Sequence, residues 1–487
     1  MPFFVLFSLK HKSARLFVAV LASMLLLIGC ELLGDDLTVD AVDVDVASYD
    51  AHIQPLFNRS CVSCHGGASP RAGLSLETWE NLLDGSDLGE AMVAYAAERS
   101  PMIRLMERTN RDPHPDGRFK LAQGEIDLLK KWIDSGARGP LDQIAFGDAT
   151  DLIYVAHEAE PFITIIDPDR QVIARELDLI ELGFTDRARA RHFAVEHDGS
   201  FWYASIGSVL RADPHWVVKF SRDNQIVSKI QIQNAGQLLV HPDKDILYVT
   251  HMPWAQDDAR SLIEVRRSDL QAIEVSVGFK DSYAIALRPQ GDFVFTSSMD
   301  VDHLMIVNVN SKAVEIFPIR GIKHEFSYFA MAAWGIKMWG SALKSGTITK
   351  FTVSNPGKVV QNHSLWVGAD PRQITYSPDG KRVYVAVRNS NRLVVLDAIE
   401  EIIERTILHP AMQFPVGVSI TADGKFLFVS SENELGVYES RFGFAGEYDT
   451  GTIAVFDTET LEVVKVIETQ SGAAAMGSSV VVPLTTR

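Results

Sequence analysis

Cysteine is scarce in this chain: Cys30, Cys61 and Cys64 are the only three in 487 residues. That excludes a disulfide-stapled scaffold, and it leaves a four-cysteine zinc site without its ligands. Basic residues are also few, with 46 Lys and Arg against 63 Asp and Glu and a formal net charge of -17. Nucleic acid and anionic lipid surfaces attract basic patches, so neither is the expected main partner, and a basic protein suits the chain better. No Ser-His-Asp elbow and no Gly-rich phosphate loop occurs, so acyl and phosphoryl transfer have no visible seat. The apolar run from Leu16 to Ile28 falls short of the ~20 residues that a membrane-spanning helix needs.

What is present is concentrated in one short stretch, Cys61-Val62-Ser63-Cys64-His65. Two thiols three positions apart and an adjacent imidazole form the spacing of covalent c-type haem attachment. Each thiol can form a thioether to a haem vinyl group, and His65 can then reach the iron as proximal ligand. A bare Cys-x-x-Cys would equally suit a thioredoxin-like pair or half of a zinc site. Nothing around this pair reads as a thioredoxin βαβ unit, however, and further zinc-ligand cysteines are lacking. One motif and two thiols predict one covalent haem c.

The third cysteine has a different setting. Lys10, Lys12 and Arg15 precede the apolar run, which ends in Leu27-Ile28-Gly29-Cys30. A basic n-region, an apolar h-region and a small residue at the cleavage point form a secretory leader, and the arrangement resembles a bacterial lipoprotein signal. The resemblance implies that residues 1–29 are removed and that Cys30 is acylated, tethering the protein on the periplasmic or cell-surface side of a bacterial membrane. An uncleaved anchor is the other reading. Residues 30–46 carry Asp35, Asp36, Asp40, Asp43 and Asp45 without the closing glutamate of a calcium loop, and read as an acidic linker.

Residues 47–140 read as a small all-α unit. A helix from Tyr49 to Asn58 leads into the haem motif, and a second over 123–136 places Ile126, Leu129, Trp132 and Ile133 on one face. The stretches YDAHIQPLFNRSCVSCHGGASPRAGLSLETWENLL and LAQGEIDLLKKWIDSGA resemble the cytochrome c modules of planctomycete-type extracytoplasmic proteins. That family usually carries a Met-Pro-Pro-like stretch before the last helix, whose methionine is the distal iron ligand. Here the corresponding place reads Asp112-Pro113-His114-Pro115-Asp116-Gly117. Three readings of the sixth position follow: His114 held between two prolines, Met102 or Met106, or an open or water-bound iron. Met102 and Met106 stand four apart, which core packing also explains. His52 is expected on the helix surface, away from the iron.

Beyond residue 145 the pattern becomes all-β, with short strands recurring at a spacing of roughly 40 residues, the period of a propeller array. Second strands of seven units begin near Leu152, Phe201, Ile246, Phe293, Ile336, Val383 and Leu427, most of them after turns such as Ser377-Pro378-Asp379-Gly380. Blades six and seven resemble YVTN-type repeats, and the resemblance implies a seven-bladed β-propeller over 145–487. No first strand precedes blade one, so the run from Ser479 to Leu484 is expected to supply it and close the ring.

Loops following the second strands should gather on one face. His157, His251, Arg191, His192 and Arg372 fall there as a possible mouth site for an anion or a metal, against the plainer reading of an ordinary polar opening. The long last-blade loop from Glu432 to Thr450 carries Tyr438, Phe442, Phe444 and Tyr448, and it can cap the mouth, cover the haem edge or dock a partner. Two function classes follow. One is a membrane-tethered electron carrier with the propeller as a docking platform. The other is an oxidoreductase with substrate or a second cofactor in the propeller and the haem as electron exit, as in propeller-based nitrite reductases and quinohaem dehydrogenases. A single haem motif with no second redox site favours the first.

Overall fold

A computed structural model describes residues 47–107, 114, 119–208, 210, 213–252, 261–276, 282–354, 357–442 and 450–478. Cys30, the acidic linker, Phe444 and Tyr448 lie outside the described residues.

The amino-terminal part is helical. A π-helical turn, Tyr49–Ile53, runs into helix α1, Gln54–Ser60, which ends at Cys61. Helices α2 (Trp79–Leu83), α3 (Pro101–Met106) and α4 (Gln123–Asp134) follow. The apolar stripe of α4 is buried as its periodicity predicts, and Trp132 has no solvent exposure. The Tyr49 ring packs 5.8 Å from Trp132, and Arg59 pairs with Glu125, so α1 and α4 are joined beside the haem motif. Glu125 also accepts from the Ala122 N–H at 2.8 Å, capping the start of α4. No helix among the described residues is long and apolar enough to cross a membrane.

The rest is a seven-bladed propeller of four-stranded antiparallel sheets. All seven second strands lie where the repeat predicts them, from Ile153–His157 in blade one to Phe426–Ser431 in blade seven. The turn before the second strand of blade six shows why the Asp-Gly pair recurs. Asp379 accepts from Ser377 Oγ at 2.6 Å and from the Lys381 N–H at 3.0 Å, while Gly380 takes a φ of +70°.

Ring closure requires one correction. Blade one is completed by Ala473–Ser478, which pairs antiparallel with Ile153–His157. The strand that closes the ring is therefore Ala473–Ser478, and the run at 479–484 expected in that place lies outside the described residues.

The helical part sits on the outer strands of blades one and seven. Val172 and Ala174 of blade one join the helical core, while Val93 and Ala96 join a propeller cluster with Ile173 and Ile467. Arg99 bonds Glu176 across this junction at 2.8 Å.

Candidate haem site

The turn after α1 is built from main-chain bonds. His65 N–H donates to Cys61 O at 2.9 Å, Arg71 N–H to Cys64 O at 3.0 Å and Leu76 N–H to His65 O at 2.8 Å. These bonds present Cys61, Cys64 and His65 to one crevice of about 590 Å³. Most of its surface is apolar, from Leu74, Leu76, Leu88, Met102, Leu105, Met106 and Phe119. His114 lies across it, its ring centre 5.8 Å from that of His65. Two imidazoles sharing one metal ion, each about 2 Å from it through nitrogen, would have ring centres about 6 Å apart. The rings of His65 and His114 are therefore close enough for both to hold one iron.

Both thiols are free, and burial pushes that of Cys61 up to about 11, with Arg59 pulling it back and Cys64 adding to the rise. It is a neutral thiol at pH 7, unlike the thiolate of a redox pair. Burial also lowers the pKa of His65 against the main chain at Leu74 and Arg71, which keeps the imidazole neutral and able to ligate. Among the described residues no group of three or more His, Cys, Asp or Glu could hold a metal ion by itself. An apolar cleft with two thiols and two imidazoles has the chemistry to accept a porphyrin.

Residues 61–114 match the planctomycete cytochrome c family. The match begins at the first thiol and ends at His114. The cytochrome c-like region is thus the helical one, and the propeller has its own likenesses. A candidate 6-phosphogluconolactonase of Bacteroides fragilis superposes with a TM-score of 0.52 at 12% identity, covering 68% of this chain and 99% of its own. A functionally unknown protein of Desulfotomaculum acetoxidans gives 0.53 at 14% identity over 67% and 98% of the two chains. A Lactobacillus plantarum protein gives 0.53 at 11% over 68% and 99%. At these identities the likeness is one of fold alone. No curated protein matches the chain.

Met102, buried on α3, and Met106 line the same crevice as His114, so all three sequence-derived distal candidates converge there. His52 accepts from the Ser48 N–H at 3.0 Å and does not line the crevice.

The mouth residues of the propeller are tied into its framework. His157 is fully buried, with Nε2 2.8 Å from Thr164 Oγ1 and Nδ1 3.2 Å from Ser471 O, and burial lowers its pKa to about 4. His192 accepts from the Leu238 N–H at 3.2 Å and stacks on Tyr328; burial lowers its pKa to about 4 as well. His251 is buried at the end of its strand in blade three. Arg191 lies 3.8 Å from Glu158, and Arg372 lies 2.8 Å from Asp370.

Two crevice residues come from the propeller. Arg441 and Phe442, in the loop after the second strand of blade seven, line the same cleft as Cys61. Sequence reading singled out Phe442 as part of a long aromatic loop able to cover the haem edge, but it missed Arg441 and the buried Glu90 of the same crevice, which carry no motif.

Proposed function

We propose that this chain is a monohaem c-type cytochrome that carries electrons outside the cytoplasm, tethered to a bacterial membrane through acylated Cys30. The observation that carries the reading is the convergence of Cys61, Cys64, His65 and His114 on one apolar crevice. Haem, when bound, supplies one-electron Fe(III)/Fe(II) chemistry. Cys61 and Cys64 would hold it covalently, and His65 and His114 would hold the iron. The apolar walls exclude water and so limit reorganisation when an electron moves. A net charge of -17 favours a basic redox partner over an acidic one.

The test is spectroscopic. Denatured protein should give a c-type pyridine haemochrome at one haem per chain, reduced or lost in Cys61→Ser and Cys64→Ser. His114→Ala should turn a low-spin iron high-spin and able to take up added imidazole. An unchanged low-spin spectrum in His114→Ala would move the distal role to Met102 or Met106. Haem extractable into acidified organic solvent would contradict the proposal.

A further inference from the structure

One wall of the crevice is held in place by a carboxylate on the next-but-one strand of the same blade. Glu468 lies on the outer strand of blade seven, Val463–Thr469, and its side chain has no solvent exposure. It accepts five hydrogen bonds from the loop that carries Phe442. Oε1 accepts from Tyr438 Oη at 3.1 Å, from the Arg441 N–H at 2.7 Å and from Arg441 Nε at 2.9 Å. Oε2 accepts from Ser440 Oγ at 2.8 Å and from the Phe442 N–H at 3.1 Å. The Arg441 guanidinium then donates through one nitrogen to Val466 O at 2.6 Å and to Leu88 O at 3.3 Å, the latter in the helical region. The two oxygens of a carboxylate can accept from all five donors, whereas an amide in its place would present an N–H₂ to some of them.

We propose that Glu468 is a positioning residue of the haem crevice: by fixing Arg441 and Phe442 it makes the propeller one wall of the cytochrome site, and so sets the iron's reduction potential and its access to small ligands. The inference rests on the haem reading above. Its physical basis is hydration. Ferric haem carries one more positive charge than ferrous haem, so water reaching a loosened crevice favours the ferric form and lowers the potential.

The experiment uses the full chain with haem attached and compares Glu468→Gln, Phe442→Ala and Phe442→Trp, with Ser430→Ala as a control that weakens blade seven elsewhere. Midpoint potential and the rate of imidazole capture are measured beside thermal stability. Glu468→Gln should lower the potential and speed imidazole capture about tenfold, the scale of one lost charge-assisted bond, and Phe442→Ala should move both in the same direction. Phe442→Trp, which keeps an aromatic wall, should leave both values near those of the parent, and Ser430→Ala should lower stability while moving neither. Phe442 is only half-buried, so its alanine variant keeps the test open if Glu468→Gln does not fold. Unchanged potential and rate in a haem-loaded Phe442→Ala, or equal changes in Ser430→Ala, would overturn this inference alone. A wild-type chain carrying no haem would overturn it together with the reading beneath it.

Discussion

Glu90 is a carboxyl whose setting reverses its usual behaviour. It is buried where the helical region meets the propeller, lines the haem crevice, and accepts from the Ile173 N–H at 3.3 Å. Burial raises its pKa to about 8, the nearby Glu176 and Glu468 adding to the rise and main-chain bonds opposing it. Lys465 is the positive group that feels its charge. An unfolded glutamate titrates near 4.3. Between the two values the folded chain holds a proton that the unfolded chain has released, so stability is complete below about pH 4.5 and is lost as pH rises through about 8. Glu90→Gln should remove that part of the slope, on the order of a few kcal/mol between about pH 5 and about pH 8 in urea melts. An unchanged slope would show that another group carries it. Cys61, Cys64 and His65 were legible in the sequence because covalent attachment fixes their spacing. Glu90, Arg441 and Glu468 were not: Glu90 and Arg441 acquire their roles from contacts across the domain junction, and Glu468 from a loop 26–30 positions before it that carries no motif.

Among the elements, the strand that closes the ring shows where propensity misleads. The run Val480-Val481-Val482 has the β-branched composition of a strand, whereas Ala473-Ala474-Ala475-Met476-Gly477 does not. Packing decides in favour of the second. The innermost strands crowd together, so that a Cβ on Gly477 would stand 2.5 Å from Phe193 Cβ and one on Gly417 would stand 2.5 Å from Ala474 O. Small residues are therefore required there, and the second strands, which pack face to face between blades, keep the large apolar residues that made all seven readable. Ending the chain at Gly472 should leave the Ile153–His157 strand with an unpaired edge and lower stability by several kcal/mol. A truncated protein that melts with the full-length chain would contradict the closure.

At the scale of the whole molecule, the cytochrome c-like region and the propeller share buried structure, which tandem domains on a flexible linker would not. Arg99 pairs with Glu176, whose side chain is 1% exposed, and its guanidinium also covers the Phe162 ring at 4.9 Å. Burial raises the pKa of Glu176, and Arg99 is the first group that opposes this. Arg99→Ala would remove the guanidinium bonded to that buried carboxylate and leave it Gln470 as a donor and the nearby charge of Arg104, at a cost of about 3–5 kcal/mol to the junction. Calorimetry should then resolve separate transitions for the two parts where the parent gives one; a single unshifted transition would show that the junction does not depend on this pair. The central claim, a single haem bonded to Cys61 and Cys64 in the crevice, is tested most directly by mass spectrometry of the denatured chain expressed with a c-type haem attachment system. The account predicts an intact mass increased by one haem, carried entirely by the peptide that contains Cys61–His65. A chain at its bare polypeptide mass, or haem on any other peptide, would contradict it.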